Sequence, residues 1–237
     1  MHGYWITDAA ASTGNLELLN WACKRGLYSN VCDTGALNGQ LKVLKWARKK
    51  GAPWYTTTFY NAALYGNLEI IKYLQENQCP WDSRTCAASS TNGHLGVLKY
   101  LREHGCPWDS KTCSAAALTG QFDVLKWARE NGCDWCEQTC YNAVISGHLE
   151  VLKWARENGC PWNDRILCYH AFYYNRLEVF IWLQKNGCTW NPEKELETME
   201  YDKKNLGMRF NYLIYENEKK LMKFIMNSAT SYASSRA

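Results

Sequence analysis

No stretch of the chain reaches the ~18 consecutive apolar residues that a membrane-spanning helix requires, so no membrane association is expected. Residues Met1 to Thr13 lack a basic segment followed by an apolar run, and no targeting signal is visible. Histidine is scarce, with five in 237 residues (His2, His94, His104, His148 and His170). There is no H-E-x-x-H pair, no phosphate-binding glycine loop, no dinucleotide fingerprint and no nucleophile elbow. These absences predict a protein that is not an enzyme and needs no cofactor. A strong charge of one sign is missing too: the net charge of +4 is too mild to imply a nucleic-acid partner on its own. Disorder over most of the chain is excluded, because 46% of the residues are hydrophobic and 21% charged, as in ordinary globular proteins.

Tryptophan and cysteine, by contrast, are abundant at twelve each, and their positions explain the number. Trp54, Trp81, Trp108, Trp135 and Trp162 follow one another every 27 residues, and Trp190 comes 28 later. A second aromatic ladder runs Trp21, Trp46, Tyr73, Tyr100, Trp127, Trp154, Trp182. Gly14, Gly39, Gly66, Gly93, Gly120 and Gly147 keep the same period, with Asn175 in the last slot, and so do Cys79, Cys106, Cys133, Cys160 and Cys188. Interlocked ladders of this kind identify residues 1–190 as about seven copies of one unit, the last copy carrying one inserted residue.

Each unit reads as two short helices. In the copy around Gly93, Asp82 is placed to cap a first helix that begins near Ser83, is rich in small residues and ends before Gly93. The second runs from His94 to His104 with Leu95, Val97, Leu98 and Leu101 on one stripe beside Tyr100. Gly105 suits the left-handed position after a helix, and Pro107 prevents continuation. Helices this short cannot bury their apolar faces alone, so neighbouring units must stack into a solenoid.

The string Gly147-His148-Leu149-Glu150-Val151-Leu152-Lys153-Trp154 resembles the second helix of an ankyrin repeat. Ala62-Ala63 and Ala116-Ala117 resemble the small pair of its first helix, and Thr85, Thr112 and Thr139 fall where the family's Thr-Pro-Leu-His turn begins. The Pro and His of that turn are missing, with Cys86, Cys113 and Cys140 nearest the Leu position. The unit of 27 residues is also shorter than the ~33 of an ankyrin repeat. The missing stretch is the β-hairpin finger. In this the chain is similar to the short-repeat ankyrin proteins of giant DNA viruses, oomycetes and algae. The resemblance implies an all-α, ankyrin-like solenoid of about seven helix pairs with shortened or absent β-hairpin fingers. It also implies a protein-binding scaffold or adaptor. The expected domains are the solenoid over 1–190, C-terminal capping helices over 191–227 with Leu206, Phe210, Leu213 and Ile214 on one face, and a loose tail over 228–237. At the other end Met1 leads straight into the first helix, so Tyr4, Trp5 and Ile6, or a partner, must cover it.

Three sets of residues carry chemistry that has to be weighed. Most cysteines repeat in register, as buried structural thiols do. Copies of one ladder lie too far apart to bridge, whereas a Cys79-type and a Cys86-type residue can meet. Reduced thiols point to an intracellular, cytoplasmic, reducing compartment. Cys133, Cys136 and Cys140, with His148 nearby, have zinc-like spacing, but two of them already belong to ladders, so they are a weak metal candidate. The tryptophans after the prolines read as a stacked aromatic spine sealing one edge. The basic ladder of Lys45, Lys72, Lys99, Lys126 and Lys153, with Arg48, Arg102, Arg129 and Arg156 one turn on, is the only feature that favours nucleic acid. Glutamates four residues after the lysines are expected to neutralise it.

Binding residues should vary between otherwise constant units. The slots five, two and one residues before each glycine do so, as does the loop after the tryptophan. The candidate partner-binding residues are therefore Asn61, Tyr65, Arg84, Lys111, Asn142, His170, Tyr173 and Tyr174, on the concave helical face. The partner expected there is a protein. The alternative is a structural subunit of a large protein or ribonucleoprotein assembly or virion, and a nucleic-acid binder comes last.

Overall fold

A computed structural model describes residues 4–25 and 30–188. Within them lie fourteen helices and no strand. They come in seven pairs: α1 (Tyr4–Thr13) with α2 (Leu16–Cys23), α3 (Val31–Leu37) with α4 (Leu41–Lys49), α5 (Thr56–Tyr65) with α6 (Leu68–Glu76), and α7 (Ser83–Thr91) with α8 (Leu95–Glu103). There follow α9 (Ser110–Leu118) with α10 (Phe122–Glu130), α11 (Glu137–Ser146) with α12 (Leu149–Glu157), and α13 (Asp164–Tyr173) with α14 (Leu177–Lys185). Among the described residues, the links between pairs, such as Cys79–Asp82, are too short for a hairpin and form none. The chain divides into two compact units, Met1–Thr139 and Cys140–Ala237. The expected capping helices and tail lie outside the described residues.

Local chemistry sets each helix. Asp82 and Asp109 accept hydrogen bonds from the amides of Arg84 and Lys111 at 3.0 and 2.9 Å, so the first helices α7 and α9 start where the sequence places them. The glycine ladder is left-handed throughout, and Asn175 adopts φ 54° in the last slot, which asparagine tolerates better than most residues.

Packing follows from residue size. In the first unit α1, α3, α5, α7 and α9 lie side by side, each first helix against the next. Ala62, Ala63, Cys86, Ala88, Cys113, Ala116 and Ala117 are buried there, and their small side chains let the backbones approach. The second helices supply the large apolar groups. Val97, Leu98 and Leu101 of α8 are buried, as are Val124, Leu125 and Ala128 of α10, the same three slots of the unit. Leu95 and Tyr100 sit at the edge of that stripe, half-buried.

Polar groups clasp one pair to the next. The Gln40 amide donates to the Ser12 carbonyl at 3.1 Å, and the Asn92 amide to the Leu64 carbonyl at 2.8 Å. The Thr119 hydroxyl donates to the Thr91 carbonyl at 2.7 Å, and in the second unit Arg176 reaches the Ile145 carbonyl at 2.7 Å. The accepting carbonyls belong to the last turns of first helices, which have no partner within their own helix.

Candidate partner-binding face

Trp54, Trp81, Trp108, Trp135 and Trp162 are half-buried, and Trp81 lies against Phe59 with ring centroids 5.1 Å apart. Trp54 meets Tyr73 edge-on at 6.2 Å, Trp108 meets Trp127 at 6.0 Å, and in the second unit Trp162 meets Trp182 at 6.0 Å. In place of the expected stack, Trp54, Trp108 and Trp162 each form an edge-to-face pair within their own helix pair.

The other face of these rings is taken by arginine. The guanidinium carbons of Arg48, Arg102, Arg129 and Arg156 lie 4.1, 4.2, 4.6 and 4.0 Å from the ring centroids of Trp54, Trp108, Trp135 and Trp162. Arg48 and Arg129 also donate to the carbonyls of Ala52 and Cys133, at 2.9 and 3.2 Å, and Arg102 does the same to Cys106. Lys45, Lys72 and Lys99 each point over an aromatic ring of the following pair at 5.7 Å. Rings and loop carbonyls, rather than glutamates, are the partners seen for Lys45, Lys72, Lys99 and the four arginines. The spacing of six between each arginine and its tryptophan was present in the sequence and is the signal that reading it for carboxylates passes over.

The cysteines are packed into the same framework. The Cys79, Cys106 and Cys133 thiols point at the carbonyls of Tyr55, Asp82 and Asp109 at 3.6, 3.6 and 3.3 Å, the residues just before the preceding first helices. Burial pushes the Cys32 thiol up to about 11 and that of Cys79 up to about 12, so both stay protonated at neutral pH. Cys133, Cys136 and Cys140 do not gather: no group of three metal-ligating side chains forms among the described residues. The reduced-thiol expectation needs one correction, since Cys168 and Cys188 are joined in a disulfide, a pairing between the two ladders as the spacing allows.

The variable slots fall into two groups. Several serve the framework. Asn61 donates to the Asp33 carbonyl at 3.4 Å, Asn142 is buried, and Arg84 is held by Asp82 at 2.7 Å and by the Thr56 hydroxyl at 3.1 Å. The Tyr65 ring closes over Gly39 while remaining half exposed, and Lys111 is exposed.

The second group is aromatic and lies in the second unit. Tyr173 and Tyr174 are 51% and 42% exposed, whereas Phe172 beside them is buried against Phe180. Tyr173 stacks on Tyr169 at 5.9 Å and meets Tyr174 edge-on at 5.2 Å. His170 sits among Tyr141, Tyr169 and Tyr174 at 4.8, 5.1 and 5.9 Å. Loss of solvent around its ring holds the His170 pKa below the ordinary 6.5, which keeps it neutral at physiological pH. Its Nδ1 is buried without a hydrogen-bond partner. Tyr141, which the sequence places beside Asn142 one unit earlier, joins the cluster, and Tyr169 completes it without having been among the expected residues. A helical wheel puts Tyr169 one turn before Tyr173, and Tyr141 precedes the Asn142 slot.

No protein-family model and no curated protein matches the chain. Among solved structures it is similar to the crystal structure of the human ASB11 ankyrin repeat domain, with a TM-score of 0.52 and 17% identity, over 65% of this chain and 84% of that one. The helix pairs, the glycine punctuation and this likeness give the chain the fold of an ankyrin repeat domain, all-α and without fingers among the described residues.

Proposed function

We propose that the chain is a non-catalytic adaptor that binds a protein partner through the aromatic face of α13, with Tyr141 at its edge. The observation that carries this reading is the exposure of Tyr173 and Tyr174 beside buried Phe172 on one helix. Large exposed rings oppose solubility, and clustered tyrosines are the side chains that dominate protein interfaces. Asn61, Tyr65, Arg84, Lys111 and Asn142 contribute less, since most of them already serve the framework.

The same reading places the protein in a reducing intracellular compartment. Ten cysteines among the described residues are free thiols, and most of those are buried. Nucleic acid is disfavoured because the four arginines of the basic ladder lie over aromatic rings.

Proximity labelling with the wild-type chain and with Tyr173→Ala tests the proposal. The expected result is loss of the recovered partner, with a binding free energy lower by about 2 kcal/mol and a melting temperature within a few degrees of wild type. A Tyr173→Ala chain that melts early and keeps its partner would overturn the assignment.

A further inference from the structure

The two cysteine ladders meet in a regular way that partner binding does not require. Residues twenty apart come together: Cys86 with Cys106 and Cys113 with Cys133 interact thiol to thiol, and Cys168 is bonded to Cys188. In the third pair the arrangement is broken, because Phe59 stands where the partner of Cys79 would be. The joined pair has a Cα separation of 6.5 Å, inside the range a disulfide spans without backbone movement.

Access separates the last pair from the inner ones. Cys86, Cys106, Cys113 and Cys133 are all 0% exposed. A soluble oxidant cannot reach them without local opening of the units. Cys168 is also buried, but Cys188, just after α14, is partly open to solvent. A partly exposed cysteine beside an enclosed one is the arrangement of an attacking and a resolving cysteine.

We propose that Cys168 and Cys188 form a reversible redox site, a dithiol that closes by exchange with a small disulfide of the glutathione class. The Cys188 thiolate attacks one sulfur of glutathione disulfide. A protein–glutathione mixed disulfide forms, and the first glutathione leaves as a thiolate that takes up the proton Cys188 gave up. The Cys168 thiolate then attacks the Cys188 sulfur and expels the second glutathione, which takes up the Cys168 proton. The protein loses two electrons and two protons, and one glutathione disulfide becomes two glutathione thiols. Excess glutathione runs the steps backwards. The closed bond fixes α13 to the residue that follows α14, whereas the inner pairs remain thiols.

The test uses the full chain, equilibrated in glutathione buffers of graded ratio, quenched with acid, denatured and labelled with a maleimide of high mass. The fully reduced chain should show all twelve thiols of the sequence reacting, and the oxidised chain ten, with peptide mapping placing the bond at Cys168–Cys188. Cys188→Ser should show the same thiol number at every ratio, whereas Cys168→Ser should lose one thiol under oxidising ratios, Cys188 held as the glutathione mixed disulfide. The site is overturned if all twelve thiols react throughout, if the protected pair maps to an inner pair, or if Cys188→Ser still loses two. Its reversibility is overturned if two thiols stay blocked under excess glutathione.

Discussion

Gln78 adopts φ 59°, a left-handed backbone, at the slot that Gly51, Gly105, Gly132, Gly159 and Gly187 fill in other units. A side-chain-bearing residue in that conformation costs about 1–2 kcal/mol, and glycine returns part of the gain as chain entropy. Gln78→Gly should therefore stabilise the protein by about 1 kcal/mol, read as a higher denaturant midpoint at unchanged slope. No shift would mean that the exposed glutamine side chain makes good the strain. Thr85 and Thr139 show a related residue-scale fault, with buried hydroxyls that have no hydrogen-bond partner in the turn that lacks the Pro and His of the ankyrin motif. His170 differs in kind. Its unpartnered nitrogen is buried as well, but it lies among the rings of Tyr141, Tyr169 and Tyr174.

At the scale of the element, the second helix and the loop after it act as one piece. Arg102 reaches forward to the Cys106 carbonyl and lies flat on Trp108, so the helix grips its own exit. A double-mutant cycle of Arg102→Ala and Trp108→Ala should give a coupling of about 1 kcal/mol, as a partly desolvated cation–ring pair does. Additive losses would show that the two side chains stabilise the fold independently. The ladders that make this piece were legible as spacing, because periodicity aligns equivalent positions. What spacing does not give is the direction in which a side chain leaves the helix. The lysines looked paired to glutamates four residues on, and the structure turns Lys72 and Lys99 toward rings. In the same way, the slots of Asn92 and Thr119 vary between units as binding residues do, yet they clasp neighbouring carbonyls. Variation marks freedom from the core and does not distinguish a clasp from a binding surface.

Across the molecule, the helix pairs and their boundaries were readable from glycine, small-residue and leucine positions, since a unit that cannot fold alone must repeat what its neighbour needs. Tyr173 and Tyr174 were readable as outliers among their repeat slots, but the part of Tyr141 and Tyr169 depended on how α11 and α13 present their rings within the second unit. Repetition also has a mechanical meaning. Under tension, units that yield one at a time release equal lengths of chain, about 90 Å of contour for 27 residues. A single-molecule extension trace should show a sawtooth with that step, whereas one rip spanning the chain would mean that the repeats yield as a block. The Cys168–Cys188 bond encloses a loop with a separation of 20 residues, which the force cannot pay out while the bond is closed. One step should therefore shorten by about 70 Å under oxidising conditions and return to full length after reduction.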